Sequence, residues 1–255
     1  MADPILAERK RRRQQLSDMY EAVKTLGPRL SLAQLVEVNI QREEMSDRMT
    51  LLDSTGPQFF TPYKGPVSAP EIYTLQDYVA LDEDAYHNAR ELAWFLRQYF
   101  LQCQGALHYT TSPPGVSYSD LGDFGSGDLA EYTFGSAWEV TAAWHALHSG
   151  APHSVLLMRC EMPDGDALFH GEIKTAIRVM HGQLRRSSTR PHLVAPVLLF
   201  SAIGQHHVRI IEAYHDGKKL IVRTTPLIDM RKRDEERLIG LTRWCLGGPS
   251  SKSTT

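Results

Sequence analysis

The sequence predicts an α+β fold: an N-terminal helical region, then a mixed central sheet flanked by helices. Three observations carry that reading. The first half places apolar residues at helical spacing. The second half holds strand-like apolar runs. Two Asp-Gly pairs, Asp164-Gly165 and Asp216-Gly217, mark tight hairpins between those runs.

Residues 5–26 carry Leu16, Met19, Tyr20, Val23 and Leu26 at helical spacing, and Gly27-Pro28 ends the segment. Ser31 can cap a second helix, with Leu32, Leu35, Val36, Val38, Ile40, Met45, Met49 and Leu52 as its apolar content. Together they read as an αα-hairpin, an arm able to meet a protein partner or a second copy of the chain. Pro28 and the unsustained leucine spacing exclude a leucine zipper. Residues 54–73, with Pro57, Pro62, Pro66 and Pro70, read as a linker. The expected division is therefore 1–73 for the helical region and linker, 74–246 for an α+β domain, and 247–255 for a disordered Ser/Thr-rich tail.

Within the larger domain, residues 83–103 form an amphipathic helix capped by Asp82 or Asp84. Residues 104–130 read as an irregular segment, a flexible lid; its aspartates do not match the spacing of a calcium loop. A helix is expected over 136–148, a strand over 155–162, and a returning strand over 167–175. A short helix follows at 176–186, then a buried-type strand at 194–201, a hairpin of 208–214 with 219–224, and a closing helix at 234–246.

Composition bounds the function. A net charge of -2 does not advertise nucleic-acid binding by itself. The charge is uneven, however: Arg9-Lys10-Arg11-Arg12-Arg13 forms one basic run, Arg185, Arg186 and Arg190 a second cluster, and Arg231-Lys232-Arg233 a third. Each is either a solvated face or a contact for an acidic polymer. No apolar run approaches the ~20 residues needed to span a bilayer, so no membrane partner is expected. Three scattered cysteines suit a reducing compartment, and an intracellular, nuclear or cytoplasmic location is expected. Glycine patterns for phosphate loops and serine-hydrolase elbows are missing from the sequence. The eleven histidines lack zinc-site spacing.

The motif that bears on chemistry is His170-Gly171-Glu172-Ile173-Lys174-Thr175. On a strand, Glu172 and Lys174 leave the same face, with His170 beside them. The plain alternative is a salt bridge worth ~0–1 kcal/mol. A Glu-x-Lys strand after an acidic hairpin and before a helix resembles the PD-(D/E)XK nuclease-like superfamily. The phrase Gly171-Glu172-Ile173-Lys174-Thr175, with the segments Pro196–Ser201 and Val208–Tyr214, is similar to uncharacterised fungal members of that group.

The resemblance covers residues 130–246. It implies a restriction-endonuclease-like core and a divalent-metal-dependent nuclease that hydrolyses DNA or RNA phosphodiesters. Glu172 would ligate Mg²⁺ or Mn²⁺, and Lys174 would polarise the attacking water. His170 would act in proton transfer. The further acidic ligand is open among Glu161, Asp164, Asp166 and Glu139, while Arg185, Arg186 and Arg190 would hold flanking phosphates. Pro163-Asp164 has the letters of the family's acidic motif but falls in the hairpin turn. The competing class is a non-catalytic module of the same fold that binds protein or nucleic acid.

Overall fold

The computed structural model describes residues 3–47, 55–71, 75, 77–79, 84–108, 110, 113–120, 129–133, 135–146, 150–162, 165–204 and 206–255. In chain order the elements are α1 (Pro4–Lys24), β1 (Arg29–Leu30), α2 (Leu32–Glu37), β2 (Ile40–Glu44), β3 (Phe60–Thr61) and α3 (Ala85–Leu107). There follow β4 (Val116–Asp120), β5 (Ala130–Glu131), β6 (Trp138–Ala146), β7 (Ser154–Cys160), β8 (Leu168–Phe169) and α4 (His170–Arg185). The chain closes with β9 (Val197–Ile203), β10 (His207–His215), β11 (Leu220–Thr224), β12 (Ile228–Asp229), α5 (Glu235–Cys245) and β13 (Gly248–Pro249).

The main sheet runs β2-β11-β10-β9-β7-β6-β4, with β12 on β10 and β5 on β6. It is mixed: β7 lies parallel to β9 and β11 parallel to β2, while the other neighbours are antiparallel. Every residue of β7 and β9 is buried, as expected for strands covered on both faces. One apolar layer joins Leu16, Met19 and Val23 of α1 and Ile173, Ile177 and Met180 of α4 to Leu156, Met158 and Leu199 of the sheet. The opposite layer joins Leu92, Leu96 and Phe100 of α3 and Leu238 and Leu241 of α5 to Leu157, Leu198 and Phe200.

The α+β class and the flanked mixed sheet match the sequence expectation. Several elements differ. Residues 138–146 form β6, not a helix. Trp138, Val140, Ala142 and Trp144 recur at spacing two, which is strand periodicity. A bulge between Val140 and Ala142 then swaps the faces, so Trp138 and Val140 join the α1–α4 layer while Ala142 and Trp144 join the α3–α5 layer.

The second helix of the expected αα-hairpin is only six residues long. Ser31 caps α2 with a reciprocal box, its hydroxyl accepting the Gln34 amide and Gln34 reaching back to the Ser31 amide. Asn39 then turns the chain at φ 60°, and Ile40–Glu44 enters the main sheet as an edge strand. The N-terminal region is thus built into the sheet, and the apolar stripe of α1 is covered by α4 of the same chain. The linker holds Phe59 and Phe60, both buried, and β3 pairs with β13. The tail is likewise ordered: the Leu193 and Val194 amides donate to the Thr254 carbonyl. Residues 104–130 are partly regular, because α3 runs on to Leu107 and β4 and β5 follow. Residues 121–128 of the expected lid lie outside the described residues.

Buried histidines couple this fold to pH. Burial, chiefly, holds His153 down at about 4, and burial with the neighbouring Arg12 does the same to His215. Both are neutral in the native state, whereas the unfolded chain takes up protons below about 6.5. Their contribution to stability is therefore expected to be full above that pH, to fall as pH drops toward about 4, and to level off below it. Urea midpoints at neutral pH and across that window test the sign. His215→Gln should flatten part of the decline.

Candidate functional site

The Glu-x-Lys motif lies on a helix. β8 is two residues long, and α4 begins at His170. Glu172 is the third helical residue, and its Oε2 accepts the Phe169 amide at 2.9 Å, which closes an exposed donor of the first turn. A carboxylate there also meets the positive end of the helix dipole. Two residues along an α-helix is a rotation of about 200°, so Glu172 and Lys174 point to opposite sides. The predicted shared face does not form.

Glu172 points into the α1–α4 layer and is fully buried. Arg209 of β10, equally buried, meets it with a two-nitrogen fork: Nη2 to Oε2 at 2.7 Å and Nε to Oε1 at 3.2 Å. The remaining Arg209 donors reach the carbonyls of Asp166 and Ala167 at 3.1 and 3.0 Å. Both carboxylate oxygens of Glu172 and three nitrogens of Arg209 are satisfied internally. The pair fastens the start of α4 to the centre of the sheet.

Lys174 turns the other way. Its Nζ bonds to Glu131 of β5 and stands 5.8 Å from the Trp138 ring. His170, one turn earlier on the same side, is buried, and its Nε2 has no hydrogen-bond partner among the described residues. Burial, then the charge of Lys174, pushes its pKa down and favours the neutral ring. Gly171 lets this turn approach the sheet. A Cβ there would lie 2.5 Å from Trp138 Cγ. Gly171→Ala is expected to cost about 1–3 kcal/mol by overpacking, read as a lowered thermal midpoint at unchanged secondary structure.

The other candidate ligands lie apart. Glu139 of β6 pairs with Arg159 of β7 at 2.8 Å. Strand alternation puts this pair on the face opposite Trp138 and Cys160, away from Glu172. Glu161, just past β7, accepts the Ala137 amide at 3.3 Å. Asp166 is exposed and pairs with Arg42 of β2 at 2.6 Å. Asp164 lies outside the described residues. Among the described residues no three His, Cys, Asp or Glu side chains converge as metal ligands. The described members of the expected Mg²⁺ or Mn²⁺ set do not come together: Glu172 is engaged by Arg209, and Glu139 leaves the other face of the sheet.

The basic groups divide in two. Arg9 and Arg12 are buried staples, Arg9 binding carbonyls at the end of α4 and Arg12 those of Leu193 and His215. Arg11 is held by Glu8 at 2.5 Å. Arg190 is exposed and stands 3.5 Å from Asp3. Arg186 is half-buried at the end of α4, and its charge helps lower the pKa of His145. Further basic side chains lie along α1 and α4. Arg178 of α4 lies over the Tyr20 ring of α1, its Cζ 4.6 Å from the centroid. His181 has its pKa lowered by burial first, then by Arg13 and Arg185. The Nε of Arg13 is buried without a hydrogen-bond partner among the described residues.

No family model, curated protein or solved structure matches this chain. Sequence reading singled out Arg185 and, within the N-terminal basic run, Arg13, but it read Tyr20 only as helix core and missed Arg178 and His181; the four are grouped with Arg185 only by packing α1 on α4. Arg209 had a visible signal: it is a charged residue inside the apolar run Val208–Ala213, where a buried partner is required. No helix among the described residues is long and apolar enough to cross a membrane.

Proposed function

We propose that this chain is a non-catalytic nucleic-acid-binding module that meets the phosphate backbone with the cationic surface of α1 and α4. The observation that carries the reading is the groove between α1 and α4, where Arg178 stands over the Tyr20 ring at 4.6 Å beside His181, with Arg13 and Arg185 one helical turn further along their helices. Like charges brought together raise each other's energy. A bound anion relieves that repulsion and releases counterions from the polymer. A nuclease-like ancestry remains compatible with this reading, but the Glu172–Arg209 pair supports a structural role for the motif rather than phosphodiester cleavage.

The test is oligonucleotide binding measured against salt, beside Mg²⁺ titration. Binding whose logarithm falls linearly with log[salt], and which weakens in Arg13→Ala/Arg185→Ala, is expected. Wild type and Glu172→Gln should show no difference in Mg²⁺ binding. Metal-dependent cleavage by the wild type, lost in a folded Glu172→Gln variant, would overturn the proposal.

A further inference from the structure

The packing of α1 on α4 leaves a groove of about 230 Å³ lined by Ser17, Tyr20, Glu21, Ile177, Arg178 and His181. Arg13, Ser17, Tyr20 and Lys24 follow one another at three- and four-residue steps on α1, and Lys174, Arg178, His181 and Arg185 do so on α4, so each set forms one stripe. The two stripes place unlike chemistry along the groove. Planar groups, the Tyr20 ring with Arg178 over it at 4.6 Å, occupy one part. His181 lines the other part, and one turn beyond the groove stand Arg13, four residues before Ser17 on α1, and Arg185, four residues after His181 on α4. The acids near the groove are already engaged: Glu21 pairs with Lys24 at 2.8 Å, and Asp18 accepts Gln14 at 2.8 Å.

We infer that this groove seats one nucleotide of a single-stranded nucleic acid, its base against the Arg178–Tyr20 stack and its phosphate against Arg13, His181 and Arg185. The inference rests on the nucleic-acid-binding reading and narrows it to a strand class. A duplex keeps its bases stacked inside and offers a groove of this width only its backbone. An unpaired base can turn out and lie on a guanidinium or aromatic plane. Ser17 gives the base edge a hydroxyl that can donate or accept.

Fluorescence anisotropy of the full chain with labelled oligonucleotides tests this. The probes are a twelve-nucleotide oligothymidylate, the same chain with abasic sites, and a duplex of equal length. The single strand should bind about tenfold or more tighter than either other probe, since stacking is worth ~1–3 kcal/mol per base. Arg178→Lys keeps the charge but removes the plane, so it should abolish that preference while leaving the salt slope unchanged. Arg13→Ala/Arg185→Ala should reduce the single-strand slope by about 1.4, two contacts at roughly 0.7 each. Binding of the duplex or the abasic chain as tight as that of the oligothymidylate would overturn the single-strand site while leaving backbone binding intact. Full preference in Arg178→Lys would do the same. Absence of binding to all three probes at low salt would overturn both readings.

Discussion

Glu172→Ala is expected to destabilise the native state by about 3–5 kcal/mol, because it leaves Arg209 charged and unpaired in the core. Both side chains are fully buried, so water cannot replace the lost partner. Removing the carboxylate also frees the Phe169 amide at the start of α4. The loss should appear as a lower urea midpoint at unchanged denaturant sensitivity. Glu172→Gln keeps an acceptor for the Phe169 amide but not the charge, and should lose less than the alanine variant. The decisive variant is Glu172→Gln/Arg209→Met. If the cost of the single change is the uncompensated guanidinium, removing that guanidinium should recover much of it. A double variant no more stable than the sum of the two single losses would show that the pair is not coupled. The same reasoning governs functional assays on Glu172: lost activity in the alanine variant reports lost folding unless the double variant loses it as well.

The motif shows why part of this molecule was legible in sequence and part was not. Strands such as Val197–Ile203 and the hairpin of β10 and β11 are announced locally, by continuous apolar runs and by Asp216-Gly217. The α3 and α5 helices are announced by one-sided apolar spacing and aspartate caps. The segment 167–175 is ambiguous locally. Leu168, Phe169, Ile173 and Thr175 suit either backbone, and the deciding partners are remote: Arg209 lies 37 residues away and Glu131 43 residues away. Helix geometry then separates Glu172 from Lys174, where strand geometry would have joined them. Trp138–Ala146 failed for a related reason. Its spacing of two runs from Trp138 to Trp144, but the bulge turns the two halves toward opposite layers, so both faces carry apolar residues. The candidate groove was less legible still. Arg185 was visible in a basic cluster, but its relation to Arg13 and Tyr20 exists only once α1 lies on α4.

The basic run at the N-terminus makes a second large effect testable, because its members do opposite things. Arg9→Ala is expected to cost about 3 kcal/mol, while Lys10→Ala should stay within about 0.5 kcal/mol. Lys10 is exposed, whereas Arg9 is buried. The Arg9 guanidinium donates to the Thr189 carbonyl at 2.6 Å, to that of Leu184 at 2.6 Å and to that of Arg186 at 3.2 Å, and it also binds the His192 carbonyl. The Leu184 and Arg186 carbonyls lie at the end of α4, where helical partners run out and a positive charge is favoured. Truncation strands these acceptors in a dry site. Arg9→Lys should recover little, since a point ammonium cannot span four carbonyls as the planar fork does. Urea unfolding separates the three variants, with near-equal losses in Arg9→Ala and Arg9→Lys the expected result. Stability close to wild type in Arg9→Ala would mean that water or a neighbouring donor closes the end of α4. Because Arg9 fixes the helix that carries His181 and Arg185, its loss should also weaken nucleic-acid binding indirectly. Only variants at Arg13 and Arg185 distinguish contact with phosphate from loss of the fold.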